Sequence, residues 1–286
     1  MKNVSAAQQV HSLDEVGAAT MCQWAEAEGW NPGIHDASTF WNSDPQGFFG
    51  LSAEGQLVGT ISAVRYGDEF AFVGFFIVRP GSRGHLLGPA LARAAMSRIA
   101  GMPTGIDGVL ENVGKYERIY GFRKAWENTR FELSTLPDGK PPKGIVPLSL
   151  LPVEDVLRFD AGFFPAPREK FLRLWIAQPG AHALAALAAD GGLAGYGVIR
   201  PCVRGWKIGP LFASEPEAAE ALFIGLCGAA GSGPVYLDIP APNSAAVALA
   251  KRFGMTPSFA TAWMFRDSPR SVDLPGIFGI TSFELG

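Results

Sequence analysis

The stretch Phe76-Ile-Val-Arg-Pro-Gly-Ser-Arg-Gly-His-Leu-Leu-Gly-Pro-Ala-Leu91 carries the transition on which the fold turns. Before it, Phe70 to Val78 is apolar throughout, the pattern of a strand buried on both faces. Gly74 inside that run predicts a bulge or a close backbone approach. After it, Leu87, Leu91, Ala95 and Ile99 recur every fourth residue, which predicts a helix from Pro89 to Ala100. Pro89 suits the first turn, where a missing N–H costs nothing. The loop between, with Arg83, Gly84 and Gly88, aims backbone N–H groups outward at a helix N-terminus, where the dipole favours negative charge. The implied ligand carries phosphate or pyrophosphate. The loop lacks the Gly-Lys-Ser/Thr ending of a Walker loop, and Gly-x-Gly-x-x-Gly cannot be written in it.

Working outward, the first half reads as a helix (Asp14 to Glu28), strands at Gly47 to Leu51 and Leu57 to Tyr66, the central strand and helix, a strand (Gly105 to Leu110), a helix (Val113 to Tyr120) and a strand (Arg123 to Leu133). Thr135 to Gly144 then holds three prolines and two glycines in ten residues, which stops both helix and interior strand. The expected division is a domain at 1–134, a linker at 135–144 and a second domain at 145–286.

The second half repeats the plan. A helix (Arg168 to Ala177) precedes strands at His182 to Ala188, Leu193 to Arg200 and Lys207 to Phe212. A helix (Pro216 to Ala229), a strand (Val235 to Ile239), a helix (Asn243 to Phe253) and a strand (Phe259 to Phe265) complete it. Gly59 with Gly195, Asn112 with Asn243, and Gly121 with Gly254 lie at nearly constant separation, as an internal duplication would leave them.

Composition narrows the function classes. The 286 residues are 48% hydrophobic and 18% charged, enough for a sizeable core. The net charge of −3 and the lack of a basic cluster argue against nucleic acid as a partner. Cys22, Cys202 and Cys227 are far apart and lack C-x-x-C spacing, so neither a disulfide scaffold nor a metal site is expected. The N-terminus shows no signal-peptide core and apolar runs such as the nine residues Phe70 to Val78 are too short to span a bilayer as a helix, so no membrane association and a cytoplasmic location are expected.

Val78-x-Pro80-x-x-Arg83-Gly84-x-x-x-Gly88-x-Ala90-Leu91 resembles the acetyl-CoA-binding motif of the GNAT superfamily of N-acetyltransferases. Glu111-Asn-Val-Gly-Lys-Tyr-Glu-Arg-Ile-Tyr-Gly-Phe122 resembles the superfamily's Asn…Tyr-Glu-Lys-Leu-Gly-Phe signature, with one residue more before Gly121. Phe159 to Trp175, Gly195 to Arg200, Ile208 to Ala213 and Asp238 to Asn243 are similar to stretches of bacterial two-domain GNAT proteins, in which a degenerate second domain follows a complete one. The resemblance implies an α/β fold of tandem GNAT-like domains, each a mixed, mostly antiparallel sheet flanked by helices.

It also implies an activity: direct transfer of an acetyl group from acetyl-CoA, or of another acyl group from its CoA thioester, to a primary amine of a small molecule or peptide. By the same resemblance, Phe76, Ile77 and Val78 hold the thioester and pantetheine arm through backbone groups. Arg83, Gly84, His85, Leu86, Leu87 and Gly88 hold the pyrophosphate, Asn112 contacts the pantetheine arm, and Tyr116 or Tyr120 protonates the leaving thiolate. Leu86 stands where the motif has its middle glycine, and a leucine disfavours φ > 0 and crowds the phosphates. The second half, Gly209 to Pro216, has no Arg-Gly loop and carries an acid near its helix start, so no CoA is expected there. That half would serve as scaffold, acceptor wall or dimer surface.

A proton must leave the attacking amine, and the strand Phe70 to Val78 holds no acid. Asp107 and Glu111, flanking the end of the next strand, are the candidate bases; a solvated carboxylate or a helix cap is the plainer role for either. By the resemblance, the segment Trp30 to Trp41 lies where the superfamily shapes its acceptor pocket, and His35 in it is a further candidate base, though a surface group is the plainer role. Cys202 reads as packing and Asp238 as a turn or cap. A non-catalytic acyl-CoA-binding or interaction protein on the same scaffold is the alternative.

Overall fold

The computed structural model describes residues 9–83, 87–135 and 142–286. The first half runs β1 (Gln9–Ser12), α1 (Glu15–Ala27), α2 (Asp36–Ser43), β2 (Phe48–Ala53), β3 (Gln56–Tyr66), β4 (Phe70–Val78), α3 (Leu87–Arg98), β5 (Thr104–Val109), α4 (Val113–Tyr120) and β6 (Arg123–Leu133). The second runs β7 (Ile145–Pro147), α5 (Val153–Asp160), α6 (Glu169–Ile176), β8 (His182–Leu187), β9 (Leu193–Pro201), β10 (Trp206–Ala213), α7 (Pro216–Ala229), β11 (Val235–Pro240), α8 (Ser244–Arg252), β12 (Thr256–Arg266) and β13 (Ile277–Gly279). No described helix is long and apolar enough to cross a membrane.

The local grammar is conventional. Asp14 caps α1 by accepting from the Gly17 N–H at 2.9 Å. Gly121 and Gly254 end α4 and α8 at φ of +73° and +69°, a conformation that side chains with a Cβ resist. The two glycines hold equivalent places in the two halves, as the repeat in the sequence predicts.

One continuous sheet passes through both halves, in the order β1-β2-β3-β4-β5-β12-β6-β11-β10-β9-β8-β7, with β13 added on β10. The order shows that the halves exchange their last strands. β12 pairs with β5 of the first half, β6 pairs with β11 of the second, and β12 and β6 pair with each other. Each half is thus completed by a strand from the other, while the mixed, largely antiparallel α/β architecture expected from the sequence is present.

Packing follows the same pattern. Phe40 of α2 stacks on Trp175 of α6 at 5.8 Å and meets Phe75 of β4 edge-on, so one core spans both halves. Buried ion pairs fasten the join: Arg130 of β6 with Asp238 of β11 at 2.7 Å, and Arg200 of β9 with Asp36 of α2 at 2.8 Å. Burial alone would raise both carboxyls, but the guanidiniums outweigh it and hold them below the usual carboxylate range. Arg130 also donates to the Trp30 carbonyl and Lys207 to that of Asn31. Asp238, expected in a turn or cap, is therefore an ion-pair partner. The segment Trp30 to Trp41, expected as a loop beside the acceptor, is a strap bound to the second half, and it includes most of α2.

Candidate active site

β4 and β5 pair in parallel only at Ala71–Thr104 and Phe72–Gly105, and β4 then continues to Val78 without β5. The divergence starts at a bulge. The β3–β4 register shifts between Thr60 and Ser62, and Phe75 takes φ +49°. Side chains of β3 satisfy the displaced backbone: Ser62 Oγ accepts from the Gly74 N–H at 3.1 Å and Thr60 Oγ1 donates to the Phe75 carbonyl at 3.0 Å. Gly74 also meets the other expectation for it, because a Cβ there would collide with the carbonyl of Glu284. The result is a wedge-shaped cleft of about 940 Å³ with strand edges facing into it. Such an edge accepts an extended chain bearing amides much as it accepts another strand.

Among the described residues, Phe76, Ile77, Val78, Arg83, Leu87, Gly88, Glu111, Asn112, Tyr116 and Tyr120 all line this cleft. Gly84, His85 and Leu86 lie outside the described residues. Arg83 donates from Nε to the Val78 carbonyl at 2.9 Å and pairs with Glu28. Glu111 is exposed on the turn Leu110–Asn112. The Tyr116 ring packs against the backbone of Gly108 on β5, and burial, with Tyr120 beside it, pushes its phenol up to about 12. Tyr120 meets Phe76 edge-on at 6.5 Å, and burial raises its phenol too. Both phenols hold their protons at neutral pH.

The second half has the same wedge, filled by its own chain. β10 and β11 pair in parallel from Trp206–Val235 to Ile208–Leu237 and then part. β13 enters beside β10 past that point, pairing Leu211 with Gly279 and Phe212 with Ile277. Asn243, the counterpart of Asn112, caps α8 with its Oδ1 and donates from Nδ2 to the carbonyls of Pro275 and Ile277 at 2.8 and 2.9 Å. A peptide strand therefore lies in the second groove where the first stays open.

On β5, Asp107 faces across the sheet. The registers Asp107–Trp263 and Trp263–Trp126 set an acid from the first half, an indole from the second and an indole from β6 in one row on one face. Asp107 Oδ1 accepts from Asn128 Nδ2 at 2.7 Å and from Thr261 Oγ1 at 2.9 Å, while its buried Oδ2 has no hydrogen-bond partner. Burial raises this carboxyl to about 7 against the opposing pull of those two bonds, with the charges of Asp238 and Glu284 adding to the rise. Asp107 lines both the cleft and a second cavity of about 330 Å³ on the aromatic side. Sequence reasoning named Asp107 but missed Asn128, Thr261, Trp126 and Trp263. Their meeting depends on strand exchange across 154 positions of sequence.

Other expected candidates lie elsewhere. His35 is exposed, Phe40 is core, and of the aromatic residues in their segment only Trp30 reaches the cleft. Cys22, Cys202 and Cys227 are buried free thiols that burial pushes upward, Cys227 to about 12, so none is an activated nucleophile.

Comparison with known proteins agrees with this geometry. Residues 15–122 match the family described as "Acetyltransferase (GNAT) family", and residues 156–278 match the one described as "Acetyltransferase (GNAT) domain". Holothin acyltransferase of Pseudoalteromonas sp. (strain SANK 73390) is 29% identical over 265 residues, covering 92% of this chain and 90% of that protein. A putative acetyltransferase from Pyrococcus horikoshii superposes with a TM-score of 0.84 at 20% identity, covering 100% of this chain and 98% of that one. A tandem GNAT protein from the clavulanic acid biosynthesis pathway superposes with a TM-score of 0.61 at 16% identity, covering 93% and 100%.

Proposed function

The chain is a tandem GNAT acyltransferase, and we propose that it transfers an acetyl or other acyl group from its CoA thioester to a primary amine by direct attack. The observation that carries this reading is the open wedge between β4 and β5, whose counterpart between β10 and β11 holds a peptide strand. A pantetheine arm offers amides at similar reach to such an edge. Phe76, Ile77 and Val78 would bind it, Asn112 would meet it, and the N-terminal turn of α3 at Leu87 and Gly88 would face the pyrophosphate. Acyl-CoA supplies an activated carbonyl and a good leaving group.

The chain's own residues manage the protons. The amine nitrogen forms a bond to the acyl carbon as the carbon–sulfur bond breaks. Asp107 takes the N–H proton on its unpartnered Oδ2, and Tyr116 gives one to the departing thiolate. We assign the base to Asp107 rather than Glu111 because Asp107 is half-buried, with its Oδ2 shut off from solvent, and its carboxyl is raised to about 7, whereas Glu111 is exposed. Tyr116 is preferred to Tyr120 because its ring rests on Gly108, the residue after Asp107. In this reading 1–134 would be the domain that holds most of the acyl donor, 135–144 the linker and 145–286 the second domain, with Phe259, Thr261 and Phe283 of the second reaching the donor cleft. The test is thiol release from acetyl-CoA with a panel of small primary amines. Amine-dependent release that Tyr116→Phe slows without weakening acetyl-CoA binding supports the reading, and release indifferent to every amine overturns it.

A further inference from the structure

The second cavity is separate from the acyl-CoA cleft, and among the described residues Asp107 alone lines both. Its walls are rings: Trp126 and Trp263, stacked at 5.9 Å and 19°, with Phe163, Phe164, Phe212 and Phe265. Trp126 is fixed from behind, because its Nε1 donates to Asn128 Oδ1 at 3.1 Å and Asn128 in turn donates to Asp107. The wall and the acid are therefore one hydrogen-bonded unit. Arg270 also lines the cavity, but its guanidinium donates to the carbonyls of Ala161 and Phe164. Asp107 is the one acidic side chain among the described lining residues; Gly286 lines the cavity too, and its oxygen is held by Arg168 Nη1 at 3.1 Å.

Resting on the acyltransferase reading above, we propose that this cavity seats the acceptor, and that the acceptor is a small, weakly basic amine borne on a flat unsaturated ring, entering uncharged. Three observations carry this. A volume of about 330 Å³ suits a small molecule and not a peptide segment or a polyamine. The paired indoles and phenylalanines offer ring faces and edges at stacking range. An alkylammonium leaves water for such walls only at a large desolvation cost. Burial raises the Asp107 carboxyl to about 7, so this side chain balances a fixed positive charge poorly near neutral pH. An amine conjugated to a ring is already neutral at that pH and loses its proton only as the new bond forms, when Asp107 can accept it.

The test separates seating from turnover. Calorimetric titration with 4-ethylaniline and with its saturated, strongly basic analogue 4-ethylcyclohexylamine, both without acyl-CoA, reads the cavity alone. The ring amine binds about tenfold more tightly, Trp126→Ala removes that preference, and Trp126→Phe keeps most of it. Equal binding of the two amines, or a preference untouched by Trp126→Ala, overturns the inference. Thiol release from acetyl-CoA is then followed with both amines. Ring-amine binding without any amine-dependent release leaves the seat standing and removes the acyltransferase step. Release with the saturated amine at an equal or higher kcat/KM overturns the inference and leaves the acyltransferase reading intact.

Discussion

Asn243 Nδ2 donates to the carbonyl of Ile277 at 2.9 Å, fastening the chain's own β13 into the groove of the second half. Asn112, at the matching place before α4, lines the open cleft of the first half and does not cap its helix. Two asparagines at equivalent positions thus face a peptide strand in one half and a ligand cleft in the other. Their substitutions are expected to have opposite effects. Asn243→Ala removes a cap and leaves strand carbonyls unpaired, lowering stability by about 2–3 kcal/mol in denaturant titration. Asn112→Ala leaves the unfolding midpoint unchanged and weakens acetyl-CoA binding several-fold.

As the proposed base, Asp107 would work only as a carboxylate. Because burial raises it to about 7, amine-dependent turnover is expected to fall as pH drops through that value. With an amine that stays neutral across the same range, the acidic limb belongs to the enzyme. Asp107→Asn should abolish the limb and lower kcat by about 10²-fold, with acetyl-CoA affinity unchanged. A pH profile that survives the substitution removes Asp107 from the base's role.

Tyr116 and Tyr120 separate by substitution. Tyr116→Phe keeps the ring against Gly108 and deletes only the hydroxyl, so kcat should fall by about 10²-fold with little change in binding. Tyr120→Phe keeps the edge contact with Phe76 and should cost much less. Equal rates for wild type and Tyr116→Phe contradict the assignment of the acid.

Strand exchange makes the Arg130–Asp238 pair a test of how the halves hold together. Both side chains are buried, so Asp238→Asn alone should cost about 3–5 kcal/mol by stranding the guanidinium. Arg130→Met with Asp238→Leu should recover most of that loss. Denaturant midpoints for the single and the double variant measure it.

Most of the elements are legible in the sequence because local rules govern them. The apolar run Phe70 to Val78, the four-residue stripe of α3 and the glycines ending α4 and α8 each declare themselves within a dozen residues. Part of the cleft lining falls in two short motifs, around Phe76 to Gly88 and Glu111 to Phe122, whereas Glu28, Trp30, Phe259, Thr261 and Phe283 come from distant parts of the chain. The aromatic row was not legible. Trp126 and Trp263 read as ordinary strand residues until β12 is seen between β5 and β6, and no periodicity encodes that choice of partner. α2 was missed for a related reason. Its residues Asp36 to Ser43 are poor helix formers, held in place by the Arg200 pair and by packing of Phe40 on Trp175.

The central claim is that the first-half wedge holds one acyl-CoA and the second, filled by β13, holds none. Calorimetric titration with acetyl-CoA tests it most directly, with Gly88→Glu as the partner variant. Gly88 opens α3 beside the Phe76 ring, so the substitution sets a negative charge where the pyrophosphate is expected. The account predicts one site per chain in the wild type and its loss in Gly88→Glu. Two sites per chain, or binding that Gly88→Glu leaves untouched, would contradict it.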